Sequence, residues 1–445
     1  MALRAGVDAG IDLLQLHRRH PQRYPFLLES AAPHAATGRY DILFAFPAAS
    51  LKLPAGTAHA AGGRFFSALS RAQTDASFDA EPQPDLPFVG GWFVYLGYEA
   101  AAAFEPRLQL PPSPFALPDA LAVRCTAAVI VDRQRRAATL VAESDPLQLE
   151  AMREDIEDSA RAPALAYALP AARIHEDPPA DFTAGVRRIL DYLVAGDAFQ
   201  VNLSRAWRLQ FDAVPDPTRL YERLRRHNPA PFAGLMRWGP TAVLSSSPER
   251  LAATVGLNVE TRPIAGTAAR SKGSAEDEMA RQRLLASAKD RAEHIMLIDL
   301  ERNDLGRICE PGGVAVDELM QIESYAHVHH LVSSVRGRLR PEVTVGDVLR
   351  AVFPGGTITG CPKVRAMEII AELEKVGRGP YTGAMGYLSR CGRMDLNILI
   401  RTLVQEGSQA VLRTGAGIVA DSDPEAELEE TRHKARGVLR VLVPA

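Results

Sequence analysis

The sequence predicts an α+β fold built on antiparallel sheets. Apolar runs of strand length recur along the chain, amphipathic helical stretches lie among them, and the two do not alternate with the regular spacing of βαβ units.

Gly91–Tyr98 (GWFVYLGY) and Ala127–Asp132 (AAVIVD) read as strands between Pro-rich loops. From about 143 to 182 the composition turns Ala-, Pro- and acid-rich. Its middle reads as a helix, but its Pro-flanked ends mark a boundary, dividing the chain into residues 1–165 and 166–445. Val186, Ile189, Leu190, Leu193 and Val194 follow helical spacing, and Gly196-Asp197 stops that helix. Phe199–Leu203 then alternates, with Phe199, Val201 and Leu203 on one strand face and Gln200, Asn202 and Ser204 on the other. A long stretch from about 275 to 300 reads as one helix. Pro362 opens another, where its missing N–H costs nothing. Asp423-Pro424 opens the last, with acids in the first turn as the helix dipole prefers.

Composition narrows the class of function. The 445 residues carry 51 Lys+Arg against 54 Asp+Glu, a net charge of −3, which argues against a nucleic-acid-binding surface. Only six of the basic residues are lysines (Lys52, Lys272, Lys289, Lys363, Lys375, Lys434), so a nucleophilic lysine has few candidates. The four cysteines are widely spaced, without a C-x-x-C pair, which fits a reducing compartment and neither a disulfide framework nor a zinc site. No secretory h-region and no membrane-length apolar run occurs, so a cytoplasmic location, with no membrane partner, is expected.

Two glycine-rich segments imitate nucleotide sites. Gly355–Lys363 (GGTITGCPK) has Cys361 and Pro362 where a phosphate loop needs its Lys. Gly415–Ala420 matches G-x-G-x-x-A, but a single helix follows it and no second parallel strand. Each still gathers backbone N–H groups, which suits a carboxylate as well as a phosphate. Asp290 and Glu293 share one helix face, and Glu427, Glu430 and Lys434 share another. Such faces are commonly solvated surface; two brought together would form an oxygen-rich site for Mg²⁺. His327, His329 and His330 lack partners at zinc spacing, and neighbours on a strand point to opposite faces.

Seven motifs then occur in one order: SSSPER (245–250), TRPIAGT (261–267), KDRAEHIMLIDLERNDLGRIC (289–309), HHLVSSVRG (329–337), FPGGTITGCPKVRAMEIIAELE (353–374), DLNILIRTL (395–403) and GAGIVADSDPEAELEETRHKAR (415–436). With them the chain resembles the chorismate-utilising enzymes, densely over about 180–440 and more weakly before. The resemblance implies large antiparallel sheets packed as a sandwich with helices outside. It also implies a catalytic, chorismate-binding domain over 166–445 and a regulatory-like or partner-facing subdomain over 1–165.

The resemblance further assigns roles. Glu293 and Glu430, supported by Asp290 and Glu427, would hold Mg²⁺ against the ring carboxylate of chorismate. Thr357, the backbone of Gly415, Ala416 and Gly417, and Lys434 would assist there. Arg401 and Tyr381 would take the enolpyruvyl carboxylate, a planar fork matched to a planar anion. Glu249 would protonate the departing C4 hydroxyl, and His330 would lie near the ring.

Gln200 stands where the water-activating branches carry a Lys, so ammonia is the expected nucleophile, supplied by a glutamine amidotransferase subunit in a heterodimer. FQVNLS (199–204), NPAPFAG (228–234), SAKDRAE (287–293) and VHHLVS (328–333) look most like the aminodeoxychorismate synthase branch, of p-aminobenzoate and folate synthesis. The alternatives are the anthranilate synthase branch, of tryptophan synthesis, and a non-catalytic chorismate-sensing subunit. Ala265 replaces the covalent Lys of the first branch and matches the anthranilate form PIAGT; Lys363 is a candidate substitute, although its motif position matches a Lys found across the family. Leu28, Glu29 and Ser30, within LLES, resemble a remnant of a tryptophan site.

Overall fold

The structure, a computed structural model, describes residues 2–32, 38–76, 86–161, 168–271, 273–325 and 328–440. The boundary expected at 165/166 falls outside the described residues, as does His327.

Every described strand pairing is antiparallel. One sheet runs in neighbour order through Leu3–Val7, Ala137–Ala142, the second half of Ala120–Asp132, the first half of Tyr40–Leu53, Phe26–Glu29, Phe232–Trp238, Thr241–Ser247, Thr402–Glu406, Gln409–Ile418, Gln200–Phe211 and Ala172–Glu176. The other starts from the remaining halves of the two long strands. It continues through Gly91–Leu96, Ala384–Ser389, Met394–Ile398, Arg250–Val255 and Asn258–Thr261 to Val328–Leu339, which also pairs with Ile264–Ala269 and Cys309–Ser324. Tyr40–Leu53 passes between the sheets at a register shift after Pro47, next to Phe46 in the left-handed region, as a bulge allows. Residues on both sides of segment 162–167 contribute to both sheets.

Side-chain alternation builds the layers. Phe26, Ile42 and Phe44 point between the sheets, where they meet Phe93, Tyr95, Met236, Val243 and Met385. Leu27, Leu43 and Ala45 point the other way, onto an outer layer with Leu16, Tyr221, Leu224 and Val438. Both faces are covered, which is why ILFAF (42–46) is a continuous apolar run. The far face of the second sheet is covered by Phe65, Phe66 and Leu69 of Ala58–Ala76, Ile298 and Leu305 of Ala288–Gly306, and Leu349 of Val345–Val352. The expected sandwich with helices outside is the fold of this chain. Among the described residues no helix is long and apolar enough to cross a membrane.

Local expectations met mixed outcomes. Helix Pro179–Val194, its stop at Gly196 (φ +80°), and the helices opened by Pro362 and Asp423 are present. The strand expected over 127–132 begins at Ala120, and the one expected over 91–98 ends at Leu96 before a short 3₁₀ turn. The single helix expected over 275–300 is two, Ser274–Ala286 and Ala288–Gly306. Ser287 adopts an extended conformation between them, and its side chain accepts from the Asp290 N–H, so an N-cap interrupts the pattern. Phe199 lies just before its strand and is 70% exposed, so it does not share the buried face of Val201 and Leu203.

Candidate active site

The floor of the site is the pairing of Gln200–Phe211 with Gln409–Ile418, in which Gly415 faces Ser204 and Gly417 faces Asn202 across the ladder. Ala416 points away, into a cluster with Val201, Leu203, Ile369 and Ile418, so only its backbone can serve a ligand. A Cβ on Gly417 would collide with the Gln200 amide nitrogen, and one on Gly415 would come within 2.8 Å of both Asn202 Oδ1 and Tyr381 Oη. The glycines therefore make room for polar groups from two other segments, the strand Gln200–Phe211 and the stretch that carries Tyr381. Gln200 uses that room: its Nε2 donates to Glu293 Oε1 at 2.9 Å, while its Oε1 is buried without a partner.

The two acidic helix faces converge beside this floor. Burial, reinforced by Glu430, raises the Glu293 pKa; burial also raises that of Glu427, again with Glu430 opposing its charge. Glu427 accepts from Ser422 Oγ at 2.7 Å, and Asp290 sits against Gly266, whose φ of +70° turns the chain at the register shift between Ala265 and Thr267. Lys434 bridges the mouth, 2.6 Å from Glu430 and donating to the Gly415 carbonyl at 3.0 Å. Among the described residues no three His, Cys, Asp or Glu side chains form a ready-made metal cage.

Glu249 lies behind them, 5% exposed, at the end of Thr241–Ser247. Burial pushes its pKa up to about 7, against the lowering effects of the Thr357 hydroxyl, Lys434 and Arg401. A carboxyl so tuned can donate a proton near neutrality. His330 is pushed down to about 3 by burial and by Arg401, so its ring is neutral; it shares a hydrogen with Thr267 Oγ1 at 2.9 Å, and its Nε2 has no partner. His329 points oppositely, toward Ser324 and Asp277, as expected of strand neighbours. Ala265 is buried opposite Leu331, one strand over.

Arg401, in the left-handed region at φ +51°, has no hydrogen-bond or ion-pair partner for its guanidinium among the described residues, and burial lowers its pKa despite Glu249. The segments of Tyr381 and Arg401 are laced together: Thr382 N donates to Leu399 O, and Leu399 N to Gly383 O, each at 2.8 Å. A desolvated, unpaired guanidinium is a site for an anion.

Lys363 is held elsewhere. Its Nζ pairs with Asp304 at 2.7 Å, which removes it as a free nucleophile. Leu28, Glu29 and Ser30 line a separate pocket with Phe232, Arg250 and Asp395, because strand Phe26–Glu29 pairs with Phe232–Trp238. The sequence reading missed Glu301, a buried acid beside Asp304 and Lys363, and the Glu374–Arg378 pair beneath the floor. A Glu and an Arg four residues apart at a helix end was the only signal for the pair.

A family described as chorismate binding enzyme matches residues 24–440. The chain is 40% identical to anthranilate synthase component 1 of Streptomyces coelicolor, over 94% of this chain and 84% of that protein. It is 39% identical to aminodeoxychorismate synthase component 1 of Salmonella typhimurium, over 94% and 93% respectively. Its fold matches the crystal structure of anthranilate synthase component I from Streptococcus pneumoniae with a TM-score of 0.78, at 32% identity, covering 90% of this chain and 92% of that one.

Proposed function

The chain belongs to the family of chorismate binding enzymes, and on that premise we propose that it is component I of an aminodeoxychorismate synthase. It converts chorismate and ammonia into 4-amino-4-deoxychorismate, with ammonia supplied by a glutamine amidotransferase subunit. The observation that carries the reading is the unpaired Arg401 beside a Glu249 raised to about 7. One group receives a carboxylate, and the other can protonate what leaves.

Glu293 and Glu430, supported by Asp290 and Glu427, fit Mg²⁺: they are hard oxygen donors whose mutual repulsion a divalent cation relieves. When bound, Mg²⁺ supplies electrostatic activation at the ring carboxylate. The chain's own groups do the rest. Arg401 and Tyr381 take the enolpyruvyl carboxylate, while Thr357, Lys434 and the Gly415–Gly417 backbone assist at the ring carboxylate. Glu249 gives its proton to the C4 hydroxyl, which leaves as water while ammonia forms a bond to C2, both ring double bonds shift by one position and the new ammonium loses a proton. Gln200, a neutral amide, cannot deprotonate water, so ammonia, already nucleophilic, is the attacker.

Ala265 offers no amine, so no covalent lysine intermediate forms there. The first product is bound 2-amino-2-deoxyisochorismate. A second ammonia adds at C4 and the C2 amine leaves as ammonia, so the net change is one ammonia consumed and one water released.

A second reading, anthranilate synthase component I, is favoured by Ala265 itself and by the pocket at Leu28–Ser30. It shares the first step and then eliminates pyruvate. A non-catalytic chorismate sensor is disfavoured by the intact Glu249, Glu293 and Glu430. Incubation with chorismate, Mg²⁺ and ammonium, followed by mass and fluorescence analysis, separates the readings. A 4-amino product without pyruvate supports the first, and anthranilate with pyruvate replaces it by the second. No turnover, even with the amidotransferase present, favours the third.

A further inference from the structure

We propose that the buried Glu374–Arg378 pair is the positioning element of this site, fixing the separation of the groups that hold the two carboxylates of the substrate. The proposal rests on the reading of Tyr381, Thr357 and Gly415–Gly417 as substrate-binding groups.

The pair forms where helix Lys363–Glu374 ends. Lys375 adopts a left-handed conformation (φ +57°) that turns the chain, and Arg378 comes back onto Glu374. The contact is a fork, with Nη2 to Oε1 at 2.7 Å and Nε to Oε2 at 3.1 Å. Among the described residues Arg378 is the largest fully buried side chain.

Its remaining N–H groups reach three segments. Nη1 donates to the Ile358 carbonyl at 3.1 Å, in the turn that carries Thr357, and to Thr382 Oγ1 at 3.3 Å, beside Tyr381. Nη2 also donates to the Asn202 carbonyl at 2.8 Å, in the strand that carries Gln200. The guanidinium lies 5.5 Å from the Tyr381 ring centroid. Glu374 reaches two strands: Oε1 accepts from Ser204 N and Oγ, and Oε2 from Arg413 Nη2, each at 2.8 Å. Arg413 lies two residues before Gly415.

All five guanidinium N–H donors are thereby committed, and both carboxylate oxygens accept more than one hydrogen. Neither residue has capacity left for a ligand, unlike Arg401, so the pair acts through its neighbours. Stability alone is a poor reason for such a pair, because a buried ion pair is often replaceable by apolar side chains without loss. What an apolar pair cannot reproduce is a set of directed bonds to the Thr357 turn, the Gln200 strand, the Gly415 strand and the Tyr381 segment. Burial opposes the Glu374 charge, but Arg378 and Arg413 outweigh it and keep its pKa below the usual carboxylate range, so the fork stays charged.

The test uses Arg378→Lys, which keeps the charge and loses the fork, and the milder Arg413→Lys. Steady-state kinetics are run against chorismate and ammonium separately, with circular dichroism and melting to verify folding. In Arg378→Lys the KM for chorismate rises on the order of tenfold or more while that for ammonia is unchanged, since small displacements of orienting groups are costly. Arg413→Lys moves the same constant in the same direction by less, with a melting temperature near the parent's. If Arg378→Lys does not fold, Arg413→Lys decides. Folded variants that keep the parent's KM for chorismate overturn the positioning role alone. A parent that neither binds nor turns over chorismate overturns the reading of the site, and the proposal with it.

Discussion

The Gln200 amide donates to Glu293 across 2.9 Å, and that bond ties the strand forming the floor of the site to the helix bearing its acids. The link exists because Gly417, on the neighbouring strand, has no side chain in its path. Gly417→Ala is expected to displace Gln200 and lower kcat/KM for chorismate by about 10²-fold, the scale of an ångström-sized misplacement. Steady-state rates check this, and an unchanged kcat/KM in that variant would show that the contact does not shape the site. Gln200→Lys is expected to divert part of the flux to isochorismate, because an amine there can deprotonate water; chromatography of the products reads it directly.

Glu249 sets the pH dependence. Its folded pKa of about 7 lies above the ordinary carboxyl value because burial disfavours the charge. The acid form is present below pH 7 and is lost as pH rises through it. With rates normalised to free ammonia, kcat is therefore expected to fall on the alkaline side with an apparent pKa near 7. Glu249→Gln abolishes that limb and lowers kcat by about 10²–10⁴-fold, the range for positioned acid catalysis. A limb that survives the substitution belongs to another group.

The sequence reading located what depends on local pattern. The stop at Gly196, the Asp423 cap and the two acidic faces follow from spacing and capping chemistry within a few residues. The sandwich could be stated from the motifs, but strand order could not: Phe26–Glu29 meets Phe232–Trp238 some two hundred residues on, and nothing local encodes that pairing. Glu374–Arg378 escaped for the same reason, since its partners Asn202, Ile358 and Arg413 come from three distant segments. Ser287 was missed because an N-cap can sit inside a continuous helical pattern.

Ala265 is the position where an amine would change the chemistry. It is buried beside Leu331, with His330 and Thr267 next along the ladder. Ala265→Lys is expected to attack C2 in place of the first ammonia and give a covalent adduct, seen by intact mass as chorismate added less one water. The parent gives no adduct and instead holds a 2-amino species that rapid quenching during turnover traps. If the variant gains no mass and the parent yields no 2-amino species, the two-ammonia scheme fails.

Glu301 predicts a stability trend of its own. Burial, reinforced by Asp304, raises its pKa to about 8, whereas in the unfolded chain it titrates near the ordinary 4.5. Between these values the folded state holds a proton that the unfolded state has lost, so stability falls as pH rises from about 4.5 to about 8. Glu301→Gln keeps the shape and removes the titration. It is expected to melt a few degrees above the parent at pH 8 and close to it at pH 5. Parallel melting curves across that range would assign the slope elsewhere.

Mg²⁺ binding has a readout that does not require turnover. A cation that binds only the folded protein stabilises it in proportion to the logarithm of its concentration over Kd, so the melting temperature is expected to climb steadily with added Mg²⁺ above that Kd. Glu293→Gln and Glu430→Gln each remove a donor, and each should flatten the climb. Glu427→Gln, whose carboxylate is engaged by Ser422, should reduce it less. Because burial and Glu430 raise the Glu293 pKa, protons compete with the metal there, and the apparent affinity should strengthen as pH rises. A melting temperature indifferent to Mg²⁺ in the parent, or a response unchanged in both Glu293→Gln and Glu430→Gln, would remove the metal from these two helices.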